Sequence, residues 1–186
     1  DYAGGRLPSV KVLGAFVGDT ADCSRRLLAR VEKHLRPLRT AVKLRDTDEI
    51  KVAMQVQLEI NRFCANTQLV YFLRTMPRAA TAAAAARHDW LIGEACRDVV
   101  GMAHATEAER VRAVEQARLP VKMGGLGLTS QVDIAPAARV GAWALCWRPL
   151  QQLCPALFAD VDISTAEVPA FRELRLIDLR GITCEG

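Results

Sequence analysis

Five cations in the stretch from 25 to 36 form the densest group of side chains able to meet an anion: Arg25, Arg26, Arg30, Lys33 and Arg36. On a helix they fall within about 140° of one side, opposite Leu27, Leu28, Val31 and Leu35, which share about 100°. Five cations facing one way suit contact with phosphates, although a solvated face is the commoner use of such an arc. A second anion-binding arrangement is Gly124-Gly125-Leu126-Gly127, whose backbone N–H groups could cradle a phosphate beside Lys122. It lacks the third glycine of the dinucleotide fingerprint, because Ser130 stands there, and it has no Gly-Lys-Ser/Thr, so a structural turn is the main expectation.

Catalytic and metal chemistry find less support. His88 and Asp89 are adjacent, but neighbours on a helix point about 100° apart, and no serine or cysteine completes a triad at usable spacing. The three histidines and six cysteines show no metal-ligand spacing. No catalytic residue, metal or cofactor is therefore expected. Trp143 and Trp147 lie one turn apart beside Val140, where core packing is the first expectation and a partner interface the second. Tyr71 and Phe72 read as buried anchors rather than base stackers.

The elements that must position these residues are mostly helices. Among the 186 residues are 29 alanines, with only 5% aromatics, a balance that favours closely packed helices and excludes an all-β domain. Val10–Val17 is the one convincing strand, short, β-branched and closed by Gly18-Asp19. One strand makes no sheet, so it is expected to pair with a missing upstream part or another protein. Asp19 or Thr20 caps a helix to about Arg36, where Pro37 disfavours continuation. A second helix opens at Asp46 with Glu49 as a capping box; its many apolar residues, from Ile50 to Cys64, predict burial on several sides. Leu69–Leu73 continues that pattern until Met76-Pro77. Arg78–Val100 is helical by alanine content and ends at Gly101. Thr106 and Glu109 box a charged helix to about Arg118. A further helix starts near Asp133 or Ile134, with Pro136 in its first turn, and stops before Pro149. Short helical pieces around 155–161 and 166–176 precede a tail.

The fold class expected is mainly α: a bundle of about six to eight helices with one short N-terminal strand. Residues 1–18 form loop and strand, 19–148 the helical domain, and 149–186 short helices and tail. Of the 25 basic residues 20 are arginine, and the formal charge of +4 permits an acidic partner without demanding one. Cys23, Cys64, Cys96, Cys146, Cys154 and Cys184 have no CxxC pattern and mostly apolar neighbours, and are expected to be reduced core thiols of an intracellular protein. No apolar run approaches the ~20 residues of a membrane span. A chain that begins at Asp1 without a targeting peptide is expected to be a piece of something longer, or a processed product.

Four segments in order carry a resemblance: Val12-Leu-Gly-Ala-Phe-Val-Gly18, Phe63-Cys-Ala-Asn-Thr-Gln-Leu-Val-Tyr-Phe-Leu-Arg-Thr-Met-Pro77, Leu119-Pro-Val-Lys-Met-Gly-Gly-Leu-Gly-Leu-Thr-Ser130 and Ala135-Pro-Ala-Ala-Arg-Val-Gly-Ala-Trp143. Together they are similar to the region beyond the catalytic palm, the thumb and its downstream segment, in reverse-transcriptase-like proteins of non-LTR retrotransposons. The resemblance implies a parent that is an RNA-directed DNA polymerase, whose metal-binding Asp-Asp box would precede Val10 and is absent from this chain. Without paired acids there is no two-metal chemistry. The chain is thus expected to be a non-catalytic, thumb-like fragment that meets the backbone of RNA or an RNA/DNA duplex through the basic arc and Lys122. The rival expectation is a retroelement-derived structural subunit within a large protein or ribonucleoprotein assembly.

Overall fold

The computed structural model describes residues 8–41 and 50–158. The single strand expected over 10–17 is two, β1 (Val10–Val12) and β2 (Ala15–Val17), paired antiparallel with Val10 opposite Val17 and Val12 opposite Ala15. Leu13 and Gly14 link them, both at positive φ, 48° and 95°. This mirror-image turn matches the twist of paired strands. The hairpin rests on Tyr71, whose hydroxyl donates to the Leu13 carbonyl and whose ring lies against Gly14. A segment that pairs with itself removes the pairing argument for an upstream palm or a protein partner at this strand.

Helix α1 (Thr20–Ala41) begins where expected, with Asp19 Oδ1 accepting the Asp22 N–H at 3.0 Å. It runs on through Pro37, past the expected stop at Arg36. A proline forfeits one helical hydrogen bond and crowds the preceding turn, a cost of about 3 kcal/mol that disfavours continuation without forbidding it. Leu27, Val31 and Leu35 are buried as their spacing predicts. They pack on α4 (Arg78–Val100), where Ala80, Ala84 and Ala85 are all but sealed from solvent and let the two helix axes approach closely. At its end Gly101 adopts the left-handed conformation, φ 79°, and closes α4 as a C-cap.

Between them, α2 (Ile50–Glu59) passes into a π-helical turn over Ile60–Ala65. Here the expected apolar burial on several sides is overturned. Val56, Ile60 and Phe63 stand exposed, and Gln57 and Asn61 are buried. The buried pair satisfies itself: Gln57 Nε2 donates to Asn61 Oδ1 at 2.9 Å, and Asn61 Nδ2 reaches Cys96 Sγ at 3.9 Å. Helix α3 (Val70–Thr75) follows, with Phe72, Leu73 and the adjoining Met76 in the core.

Helix α5 (Glu107–Arg118) opens with the expected capping box, the Thr106 N–H donating to Glu109 Oε2 at 2.8 Å. Helix α6 (Gln131–Leu153) packs on α3 and α4, and α7 (Pro155–Phe158) ends the described chain. Ser130 caps α6, accepting the Asp133 N–H at 3.2 Å, so the helix starts earlier than expected and Pro136 lies beyond its first turn. It also continues through Pro149, and the boundary expected at 148–149 falls inside it.

The described residues are mainly helical, with one short sheet near the N-terminus, and no described helix is long and apolar enough to cross a membrane. Of the five described cysteines, all free, Cys23 and Cys96 are buried while Cys64, Cys146 and Cys154 are exposed, which corrects the expectation of core thiols for the last three. The apolar residue that precedes each of the three, Phe63, Leu145 and Leu153, is exposed as well, so an apolar neighbour in sequence does not place a cysteine in the core. The Asp46–Glu49 capping box, the 166–176 helix and Cys184 lie outside the described residues.

Candidate nucleic-acid interface

Within the basic arc on α1 the cations differ in what holds them. Asp22 sits among Ser9, Arg25 and Arg26: it accepts the Ser9 N–H at 3.0 Å and its hydroxyl, and pairs with Arg25 and with Arg26 Nε, the latter at 2.9 Å. The Ser9 hydroxyl and the Arg25 guanidinium hold its carboxyl well below the usual carboxylate range. One carboxylate thus partly neutralises two of the five cations. Farther along, the Arg30 guanidinium lies over the Phe72 ring, 5.4 Å from its centre. Lys33 is exposed, and among the described residues neither it nor Arg30 pairs with a carboxylate. The acid between them, Glu32, pairs with Arg87 of α4. The side chain of Arg36 lies outside the described residues.

Lys122 is also exposed, in a one-turn 3₁₀ segment (Val121–Met123). The principal neighbours of α1 are α4 and β2, so its packing does not bring this loop beside the arc. The glycine loop itself is folded back on α5. The N–H groups of Gly124, Gly125, Leu126, Gly127 and Leu128 donate in turn to the carbonyls of Val121, Pro120, Ala117, Leu119 and Ala117, at 2.9 to 3.2 Å. None of these donors is left for a phosphate. A Cβ on Gly125 would stand 2.0 Å from the Leu119 carbonyl oxygen, so that glycine is required by close backbone approach. Leu128, just after the loop, is buried beneath it.

His88 and Asp89 do different work, as their places on α4 imply. His88 is buried, its Nε2 3.0 Å from the Ala65 carbonyl, which accepts from the Nε2–H tautomer; Nδ1 has no hydrogen-bond partner and lies 3.7 Å from Asp89 Oδ1. Asp89 reaches the start of α6, accepting the Ser130 hydroxyl at 2.6 Å and the backbone N–H groups of Gln131 and Val132 at 2.8 and 3.3 Å. Burial alone would raise its pKa; His88, Ser130 and the two backbone donors outweigh burial and hold it below the ordinary value. Both residues are therefore structural, and the Asp89 tether is the feature the sequence concealed, since 41 residues separate it from Ser130.

Trp147 is buried, as core packing predicts, and is closed to a partner; Trp143 is half-buried, with the Arg139 guanidinium 5.4 Å from its ring centre. Phe72 is buried as expected, stacked with Phe16, while Tyr71 is partly exposed beneath the hairpin. Burial pushes the Cys96 thiol up to about 11, against the opposing effect of Asn61, so it is no nucleophile at neutral pH. Among the described residues no three His, Cys, Asp or Glu side chains gather closely enough to hold a metal ion. No family model, curated protein or solved structure matches the chain.

Proposed function

We propose that this chain is a non-catalytic, thumb-like module of a reverse-transcriptase-like protein that holds nucleic-acid backbone against the exposed side of α1. The observation that carries this reading is the pair Arg30 and Lys33, one helical turn apart on that side and unpaired with any described carboxylate. Arg25 and Arg26 contribute less, because Asp22 offsets part of their charge.

Cations that neutralise phosphates release counterions, so affinity falls with salt at a log–log slope of about −0.7 to −0.9 per contact. Binding of duplex and single-stranded RNA, followed by fluorescence anisotropy across a salt series, is expected to show such a slope. Replacing Arg30 and Lys33 together by glutamine should flatten it by about 1.5 and weaken unrelated sequences alike. An unchanged affinity and slope would mean that the arc is merely solvated.

A second reading is favoured by a different face. Val56, Ile60 and Phe63 recur at helical spacing and stand exposed on α2 and its π turn. Apolar residues gathered on one outer face suit packing within a large assembly, and this structural-subunit reading stands if the α1 variant binds RNA as the parent does.

A further inference from the structure

A cavity of about 330 Å³ opens between α1, the start of α3 and the middle of α4. We propose that it receives one unpaired nucleobase of a bound strand, which makes the α1 surface selective for single-stranded over duplex nucleic acid. The inference rests on the backbone-binding reading of α1 and adds a specificity to it.

Three properties of the cavity carry it. Its size lies at the lower end of the roughly 300–1,000 Å³ of small-molecule sites, enough for one flat heterocycle and its sugar but not for a base pair with its two backbones. Its exposed lining is polar: Arg30, His34 and Gln68 stand at its mouth, while Leu27, Val31, Leu69 and His88 lie buried behind them as its floor. A purely apolar guest would leave those polar edges unmet, whereas an unpaired base carries donors and acceptors around its rim for an amide and an imidazole to engage. Finally, Arg30 both lines the cavity and belongs to the cationic arc. Phe72 has Phe16 stacked on it and the Arg30 guanidinium over it, so the stacking surface left for a guest is the guanidinium plane itself. Guanidinium planes stack on unpaired bases, and Lys33 is one turn away for the adjoining phosphate.

A base held in a duplex reaches this cavity only by being unpaired and unstacked, at a cost of a few kcal/mol. The full chain should therefore bind a 12-nucleotide single-stranded RNA at least tenfold more tightly than the matching blunt duplex at equal salt. His34→Ala and Gln68→Leu, both at exposed positions, should each weaken the single strand about fivefold and leave duplex affinity and the thermal midpoint unchanged. Arg30→Gln should weaken both forms. Equal affinity for the two RNAs, or single-strand binding indifferent to both edge variants, overturns the nucleobase site while leaving the backbone reading intact. Failure to bind either RNA removes both.

Discussion

Helices α1 and α2 obey opposite rules of burial. In α1 the apolar stripe faces inward and the charges face out, because α4 offers a track of alanines wide enough to receive Leu27, Val31 and Leu35. In α2 and its π turn the buried positions are Gln57, Asn61 and Ala65, while Val56, Ile60 and Phe63 look outward. The inward face is thus chosen by which side chains find a mate. Asn61 has Gln57 and Cys96; the exposed Phe63 has the Arg62 guanidinium over its ring, its one ring contact among the described residues. The contrast teaches that periodicity locates a helix's apolar face but leaves open whether this chain or a partner covers it.

The strongest way to break the comparison is to truncate its best-buried member. Leu27→Ala should cost about 3–5 kcal/mol in urea unfolding, since Leu27 is fully sealed and its removal leaves a cavity against α4. A loss under about 1 kcal/mol would mean that the α1–α4 contact is loose. Asn61→Ala comes next, at about 1–3 kcal/mol, because the buried Gln57 amide loses its acceptor. The paired change Gln57→Leu with Asn61→Leu sharpens the point. It should recover most of that loss, because removing both polar partners leaves none unsatisfied.

Asp89→Asn is expected to cost about 1–2 kcal/mol near neutral pH, the usual worth of a helix N-cap. Its pH dependence has a definite sign. Asp89 is held below the ordinary aspartate value of 3.8, so its ionised form stabilises the fold above that value. This contribution disappears as pH falls through the still lower pKa of the folded state. Unfolding curves from pH 7 downward should show the parent and the asparagine variant converging in acid. The smallest effect belongs to the outward face of the π turn: Phe63→Ala should change stability by no more than about 0.5 kcal/mol. A larger loss would show that Phe63 is covered within this chain after all.

Local chemistry made part of this legible in advance. The Thr106–Glu109 box, the extent of Arg78–Val100 and its Gly101 cap depend on residues within a turn of one another, and sequence spacing displays them directly. The glycine loop was legible as a turn for the same reason. The prolines misled. Pro37 and Pro149 weaken a helix locally, yet the helices continue through both, so a local penalty does not by itself fix an end. The hairpin was missed because Leu13 takes a positive φ that favours glycine or asparagine, which hid the two-residue turn. At the candidate interface the arc could be drawn from α1 alone. The Asp22 pairing with Arg26 lay within reach of helical spacing, whereas the cavity joins residues from 27 to 88 and exists only in the fold.

The carboxylate of Asp89 also determines where the chain could grow. By fastening α4 to the head of α6 it turns everything from Gly101 to Thr129, α5 and the glycine turn included, into a cassette clamped at both ends. Lengthening such an excursion is thermodynamically mild, because closure entropy rises only logarithmically and a doubling costs about 0.6 kcal/mol. Extra residues spliced between Gly101 and Ala105, ahead of the Thr106 box, would lengthen the cassette while leaving the seat of α6 in place.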